Sequence, residues 1–390
     1  MCFERYGLRR ARCPRVSRHK PIAYCRSLIS TTCARVLIVG AGIIGRSIAY
    51  YLSRAGAQPI LIEAREGPSD ASRASLGVLT HFSGGHSVYG LFIRDSHAVH
   101  RPLADELFDE TGIDVGWRPL GGINLVTDSE DEALIKAQWD QARARSVPAE
   151  RLSGEDIRRI EPSVASDVCW GLYFPEDQRV SPMRLGDALL KGAIARGAQI
   201  KYGESFLRIA ESGKDRVLVE TSKGRRSADC VVLASGAWTA FLAASFGAHV
   251  PVRPVRGEHG CYRGERLRHV LRHSGHQIIP TARGNMVGAT AEEVGFIADT
   301  TEAGQRALHT VYTRLLAVSE PLRSQWAGLR AKPKAGRPMI GPLNEHPRIF
   351  IATGHYKNGV LMGPLTGQVI ARWILEGQPG RDMQPFVPER

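Results

Sequence analysis

Apolar residues gather at the two ends of this chain in short unbroken runs, each followed by glycines and then by a helical stretch. Between them the chain reads mostly as short strands. Arg35-Val36-Leu37-Ile38-Val39 is such a run, as a strand buried on both faces requires. A glycine-rich turn leads from it to a helix over Ile44 to Arg54, and Pro59 to Glu63 follows as a second buried strand ending in an acid. Residues 68–87, rich in Ser, Gly and Ala, read as a loop, and Val88 to Glu110 as a helix. The pattern then gives a strand at Gly122 to Val126 and polar helices at Glu130 to Arg145 and Gly154 to Ile160. Pro182 to Arg196 reads as a helix with Ser181 as N-cap and Pro182 at its first position.

Strands are predicted next at Gln199 to Tyr202, Ser205 to Ala210, Arg216 to Thr221 and Cys230 to Ala234. Val252 to Val255, Gly260 to Arg263, Gln277 to Pro280 and Asn285 to Gly288 form a strand-rich middle. A helix at Glu302 to Val318, a strand at Ile349 to Ala352 and a helix at Gly359 to Leu375 close the chain. The order predicts an α/β + α+β fold, a discontinuous Rossmann-like dinucleotide domain interrupted by an antiparallel-sheet substrate domain. Residues 35–116, 170–248 and 327–390 are expected in the first, and 117–169 and 249–326 in the second.

Composition changes this picture in one place. Residues 1–34 carry eight Lys or Arg and one Glu, so they hold +7 of the chain's net +13. The basic excess belongs largely to this extension, and no basic stripe interleaved with aromatics marks the body, which argues against nucleic acid as a partner. The extension, Arg-rich and nearly acid-free, reads either as an organelle transit peptide or as structureless residues translated from an upstream start. The expected location is the cytoplasm, or a mitochondrial or plastid matrix if the first reading holds. No run reaches the length of a membrane span. Cys169, Cys230 and Cys261 are far apart and no HExxH pair occurs, which speaks against metal chemistry.

The candidate chemistry starts at Gly40-Ala41-Gly42-Ile43-Ile44-Gly45, a GxGxxG spacing between a predicted strand and helix. Gly40 permits the tight turn, Gly42 lets backbone approach a pyrophosphate, and Gly45 lets the helix pack closely. Glu63, ending the second strand, is placed to bind ribose hydroxyls and would repel the 2′-phosphate that Arg65 would otherwise suggest.

Four further segments resemble the D-amino-acid oxidase family: Ser72-Arg73-Ala74-Ser75-Leu76-Gly77-Val78-Leu79, Val231 to Trp238, Pro254 to Glu258, and Val287 to Thr290. Trp326-Ala327-Gly328-Leu329-Arg330 and Ala352-Thr353-Gly354-His355-Tyr356-Lys357-Asn358-Gly359-Val360-Leu361-Met362 are similar to its glycine oxidase branch. The resemblance implies FAD, with contacts at Ala64, Ala71, Ser72, Leu76, Gly77, Val78, Phe206 and Gly236, and from His355 through Leu361. It implies that Arg330 clamps a substrate carboxylate and that Gln277 and Lys357 stand at the substrate, where the branch usually has Tyr and Arg. The segment after Arg330, Ala331 to Gly336, also departs from its pattern.

The expected activity is oxidative deamination of glycine, sarcosine or a small D-amino acid, with electrons passed to O2 and the imine serving thiamine thiazole synthesis. Two alternatives stay open: a dehydrogenase delivering electrons to a quinone or protein, acting on amino acids or opines, and an FAD-binding protein without turnover. A homo-oligomer is compatible with either. His259, His269, His273 and His276 read as solvated loop or edge strand, and Trp170 and Trp326 as packing residues. Ser235, outside any GxSxG pattern, reads as a strand end near the cofactor.

Overall fold

The short Val, Ile and Leu runs become the centre of a six-stranded sheet. In this computed structural model, which describes residues 34–67, 70–80, 87–264, 267–317 and 320–388, its strand order is Met339–Pro342, Ile349–Thr353, Cys230–Leu233, Arg35–Val39, Gln58–Glu63, Gln199–Tyr202. Every neighbouring pair is parallel except the outermost, Met339–Pro342 against Ile349–Thr353. Strands from both ends of the chain thus share one sheet. The basic extension expected at residues 1–34 lies outside the described residues, Ala34 excepted.

Both faces of this sheet are covered, which is why its strands show no alternation. Ile43–Arg54, Val88–Thr111, Pro182–Ala195 and Gly359–Glu376 are helices that bury one face, with Val36, Ile38, Leu61 and Val232 beneath them. A three-stranded antiparallel sheet, Phe206–Ser212, Val217–Thr221 and Gly224–Ala228, helps cover the other face over Leu37, Val39, Ile62 and Leu233. Each such fully buried Leu, Ile or Val contributes about 1.5–3 kcal/mol through apolar burial. The first and last helices touch closely: a Cβ on Gly367 would stand 2.7 Å from the Ser47 carbonyl oxygen. Ser181 caps the Pro182 helix as expected, accepting from the Arg184 amide.

The second domain is built on an eight-stranded sheet. Its order is Leu322–Pro333, Val252–Tyr262, Gly284–Gly288, His276–Thr281, Val270–His273, Gly122–Val126, Trp170–Phe174, Glu150–Ser153. All neighbours are antiparallel apart from Val270–His273 against Gly122–Val126. The helices Glu302–Leu315 and Gly154–Ile160 pack on it through Leu308, Tyr312, Leu315 and Ile157.

Several expectations change. Val252 to Val255 and Gly260 to Arg263 are one continuous strand, Val252–Tyr262, because the polar Arg256-Gly257-Glu258-His259 between them is buried and paired on both sides. Burial is affordable there because Arg256 donates to Glu292 at 2.7 Å and the Glu258 carboxylate accepts from the Thr301 amide and hydroxyl. The loop expected over residues 68–87 contains a short helix, Asp70–Ala74, and a two-residue strand, Val78–Leu79, while 68–69 and 81–86 are outside the described residues. Sheet membership also runs past two expected domain boundaries. Trp170–Phe174 and the whole of Leu322–Pro333, Arg330 included, belong to the eight-stranded sheet. Among the described residues no helix is long and apolar enough to cross a membrane, and no cluster of three His, Cys, Asp or Glu could hold a metal.

Candidate functional site

A cavity of about 600 Å³ lies where the two sheets meet, and the glycine turns at both ends of the chain open onto it. At the first turn, Gly40 has φ +105° and a Cβ there would meet the Ala234 carbonyl oxygen at 2.7 Å. A Cβ on Gly45 would run into the Gly40 carbonyl oxygen. Only glycine fits either position, so the turn can be tight and the helix can start directly beneath it. Gly42 is the N-cap of that helix, faces the cavity, and is followed by no acid in the first turn.

Glu63 ends its strand beside this turn. Its carboxylate accepts from the Ala41 amide at 2.9 Å and lines the cavity. Ser72, from the short second helix, accepts from the Ile43 amide at 2.9 Å and ties the Ser/Ala-rich segment to the helix start. The last helix, Gly359–Glu376, likewise begins at the cavity, without a side-chain cap and without an acid in its first turn. By contrast the helices starting at Val88, Gly154, Pro182 and Glu302, none of which lines the cavity with its first residue, are each capped by a Ser or Thr side chain. Two helix N-termini without an acid in the first turn or a side-chain bond from the capping residue favour an anionic ligand between them. A cavity holding two such termini, an acid at the end of the second strand and a glycine turn fits FAD.

The substrate side is a patch of the eight-stranded sheet. Gln277, Gly288, His259 and Trp326 lie opposite one another on four successive strands, so their side chains share a face. Arg330 comes from the same strand and face as Trp326, and its guanidinium lies over Gly257, where a Cβ would collide with Nη2. The Arg330 and His259 side chains thus lie over Gly257 and Gly288, with Gly328 lining the cavity beside them and Gln277 beyond Gly288.

Arg330 donates from Nη1 to the Thr290 carbonyl at 3.0 Å. Burial pulls its pKa below the usual arginine value, while the neighbouring Tyr356 hydroxyl acts in the opposite direction. Lys357 is lowered by burial first and then by the charges of Arg330 and Lys332. Among the described residues no acid pairs with Arg330 or Lys357. Two cations without counter-ions in one cavity form an anion site. Tyr356 adopts φ +50°, an outlier for a bulky residue, and this turn presents Lys357 to the cavity.

Of the residues expected at the site from sequence, Gly40, Gly42, Ile43, Ile44, Glu63, Ala64, Ala71, Ser72, Leu76, Gly77, Val78, Phe206, Gly236, Gln277, Arg330, His355, Tyr356, Lys357, Gly359 and Val360 line this one cavity. Three do not. Gly45 packs behind the turn, Asn358 donates to the Tyr89 hydroxyl at 3.3 Å, and Leu361 turns into the core. His355 is buried against the Thr366 hydroxyl at 3.1 Å, and burial holds its pKa at about 3. Ser235 donates to the Val39 carbonyl at 2.9 Å and sits at the strand end beside the cavity.

The reading of the histidines is corrected. His259 is 5% exposed in the middle of the sheet and lines the cavity. His273 is buried, 3.2 Å from Asp131, and His269 lies 2.8 Å from the Glu161 carboxylate. For His259 and His273, position in a strand rather than local polarity decides burial, while His269 lies half-buried in the bend before its strand. Trp326 packs as expected, stacked on His259 with ring centres 5.7 Å apart and donating to the Ala74 carbonyl at 3.2 Å. Sequence reasoning also missed Trp238 and Phe241 at the cavity wall.

Residues 35–373 match the family described as FAD dependent oxidoreductase. A curated glycine oxidase from Geobacillus kaustophilus is 32% identical over 367 residues, covering 90% of this chain and 95% of that protein. The bifunctional protein ThiO/ThiG of Nostoc sp. is 29% identical, covering 87% of this chain and 52% of its own length. The crystal structure of glycine oxidase from Geobacillus kaustophilus superposes with a TM-score of 0.87 at 29% identity, over 92% of this chain and 99% of that one.

Proposed function

Because the chain belongs to the family of FAD-dependent oxidoreductases, we propose that it oxidises glycine, sarcosine or a small D-amino acid at the Cα–N bond. The product is an imine that water hydrolyses to an oxo acid and an amine or ammonia, with O2 as acceptor and H2O2 formed. The imine's use in thiamine thiazole synthesis belongs to the same proposal. The relatives named glycine oxidase support it, and one observation carries it: the Arg330 guanidinium, at the cavity wall and paired with no acid among the described residues.

FAD, when bound, supplies the two-electron acceptor for the Cα hydrogen. The protein's own part is placement. A planar guanidinium offers a carboxylate two parallel hydrogen bonds, and Lys357 adds a second positive charge nearby. The two cations fix the carboxylate end of an amino acid. Gln277 offers an amide to the same cavity. Directly after Lys357 the amides opening the last helix favour negative charge in front of them. Holding the reactants in one orientation in this way supplies several kcal/mol toward the barrier.

Anaerobic mixing with glycine, sarcosine, D-alanine, D-proline and opines tests this, with loss of the yellow flavin band as the readout. Glycine or another small amino acid is expected to bleach it. A band untouched by every compound sinks the proposal in favour of a silent FAD-binding protein. Reoxidation by a dye but not by air makes the protein a dehydrogenase instead.

A further inference from the structure

His259 does not follow from the reading above, and its surroundings are unusual. It is 5% exposed and lines the cavity, with its Nδ1 sealed from solvent and its ring set against the Gly257 backbone. Its ring is fixed from two sides. Trp326 stacks on it at an interplanar angle of 8°, and it occupies the notch left by Gly288, where a Cβ would collide with Cδ2. A polar ring held this rigidly at the wall of a cavity is preorganised to meet a ligand there.

Its neighbours identify the ligand group. The Arg330 guanidinium lies over Gly257, two residues along the same strand, so roughly 7 Å of strand separates the two anchor points. A carboxylate held at Arg330 therefore points the rest of a short molecule toward the imidazole. Gln277 stands on the far side of Gly288. No acid lies between these groups among the residues that line the cavity there.

We propose that His259 is a substrate-binding residue that accepts a hydrogen bond from the substrate's amino nitrogen, while Arg330 holds the carboxylate. The pair measures the spacing of an α-amino acid and distinguishes it from a plain carboxylic acid. Burial, and secondly the Arg330 charge, hold the His259 pKa at about 3 against a hydrogen bond to the Gly257 backbone, so at neutral pH the ring is uncharged and its second nitrogen is left to accept. This inference rests on the proposal that the substrate is a small amino acid.

The test compares glycine with acetate, which keeps the carboxylate and lacks the nitrogen. Acetate affinity is read from perturbation of the flavin spectrum. Glycine affinity is read from saturation of anaerobic bleaching, or by direct titration if no bleaching occurs. The wild type is expected to prefer glycine by tenfold or more, the scale of a hydrogen bond to a charged group. His259→Phe, which keeps the stack on Trp326, should bind FAD and acetate within about threefold of wild type and lose that preference. His259→Asn, which restores a polar group, should recover part of it and serves alone if the Phe variant does not fold. A preference left intact by both substitutions overturns the inference, as does a wild type that binds glycine no better than acetate. Absence of bleaching with a preference that still collapses would refute oxidation and leave the His259 contact standing.

Discussion

At the scale of single residues, the site depends on charges that the protein itself leaves unbalanced. Arg330 has a carbonyl and a phenol near it and no acid, so removing it deletes the proposed carboxylate anchor without freeing a charged partner. Arg330→Ala should lower kcat/KM for glycine by about 10²- to 10⁴-fold, two charge-assisted hydrogen bonds at about 1.5–3 kcal/mol each, with FAD content unchanged. Arg330→Lys keeps the charge and loses the fork, so it should recover only part of the loss. Steady-state kinetics with flavin content measured on the same samples checks both. Activity within threefold of wild type in the alanine variant would remove Arg330 from the substrate site. Arg330 was legible because it falls in a recognisable segment, Trp326 to Arg330. His259 was not, although it directly follows the motif residue Glu258. Local polarity suggested solvent, and only strand pairing shows that His259, Gly288 and Gln277 share a face.

At the scale of elements, glycine decides where helices begin and how near they come. A side chain at Gly45 would run into the Gly40 carbonyl, so Gly45→Val must open the first turn and spread the amides meant for a phosphate. Purified Gly45→Val should be colourless, or hold less than a tenth of the wild-type flavin, while its far-ultraviolet spectrum stays native; retention of full flavin would show that the turn is not the phosphate cradle. Gly367 sits 2.7 Å from the Ser47 carbonyl by the same measure. Gly367→Leu should wedge the first and last helices apart and cost about 1–3 kcal/mol or more in denaturant unfolding. The elements that sequence located well, Arg35–Val39, Gly122–Val126, Gly154–Ile160 and Gln199–Tyr202, are unbroken apolar runs or well-punctuated short segments. The long strands Val252–Tyr262 and Leu322–Pro333 were broken up or missed. One face of each meets a polar cavity, so neither shows a run or a clean alternation.

At the scale of the whole molecule, the cavity lies between two sheets drawn from separated parts of the chain, and the protein keeps imidazoles neutral around it. His100, His259 and His355 are held by burial at about 4, 3 and 3 respectively, against 6.5 for a free imidazole. Unfolding in mild acid lets each take up a proton that the folded state refuses. Their stabilisation is therefore complete above pH 6.5 and drains away as the pH falls toward 4, by about 1.4 kcal/mol per histidine per pH unit. Three such groups acting together weigh heavily against a total stability of about 5–15 kcal/mol. The thermal midpoint of the holoprotein should thus be flat from pH 7 to 8 and fall steeply between pH 6.5 and 4.5. His100 donates from Nε2 to the Leu361 carbonyl at 2.9 Å, at the start of the last helix, and makes no contact with the cavity lining through its other nitrogen. His100→Gln should therefore lessen the acid slope by about a third, whatever it does to the plateau. An unchanged slope would mean that the acid transition belongs to other groups and that these imidazoles are protonated in the folded state.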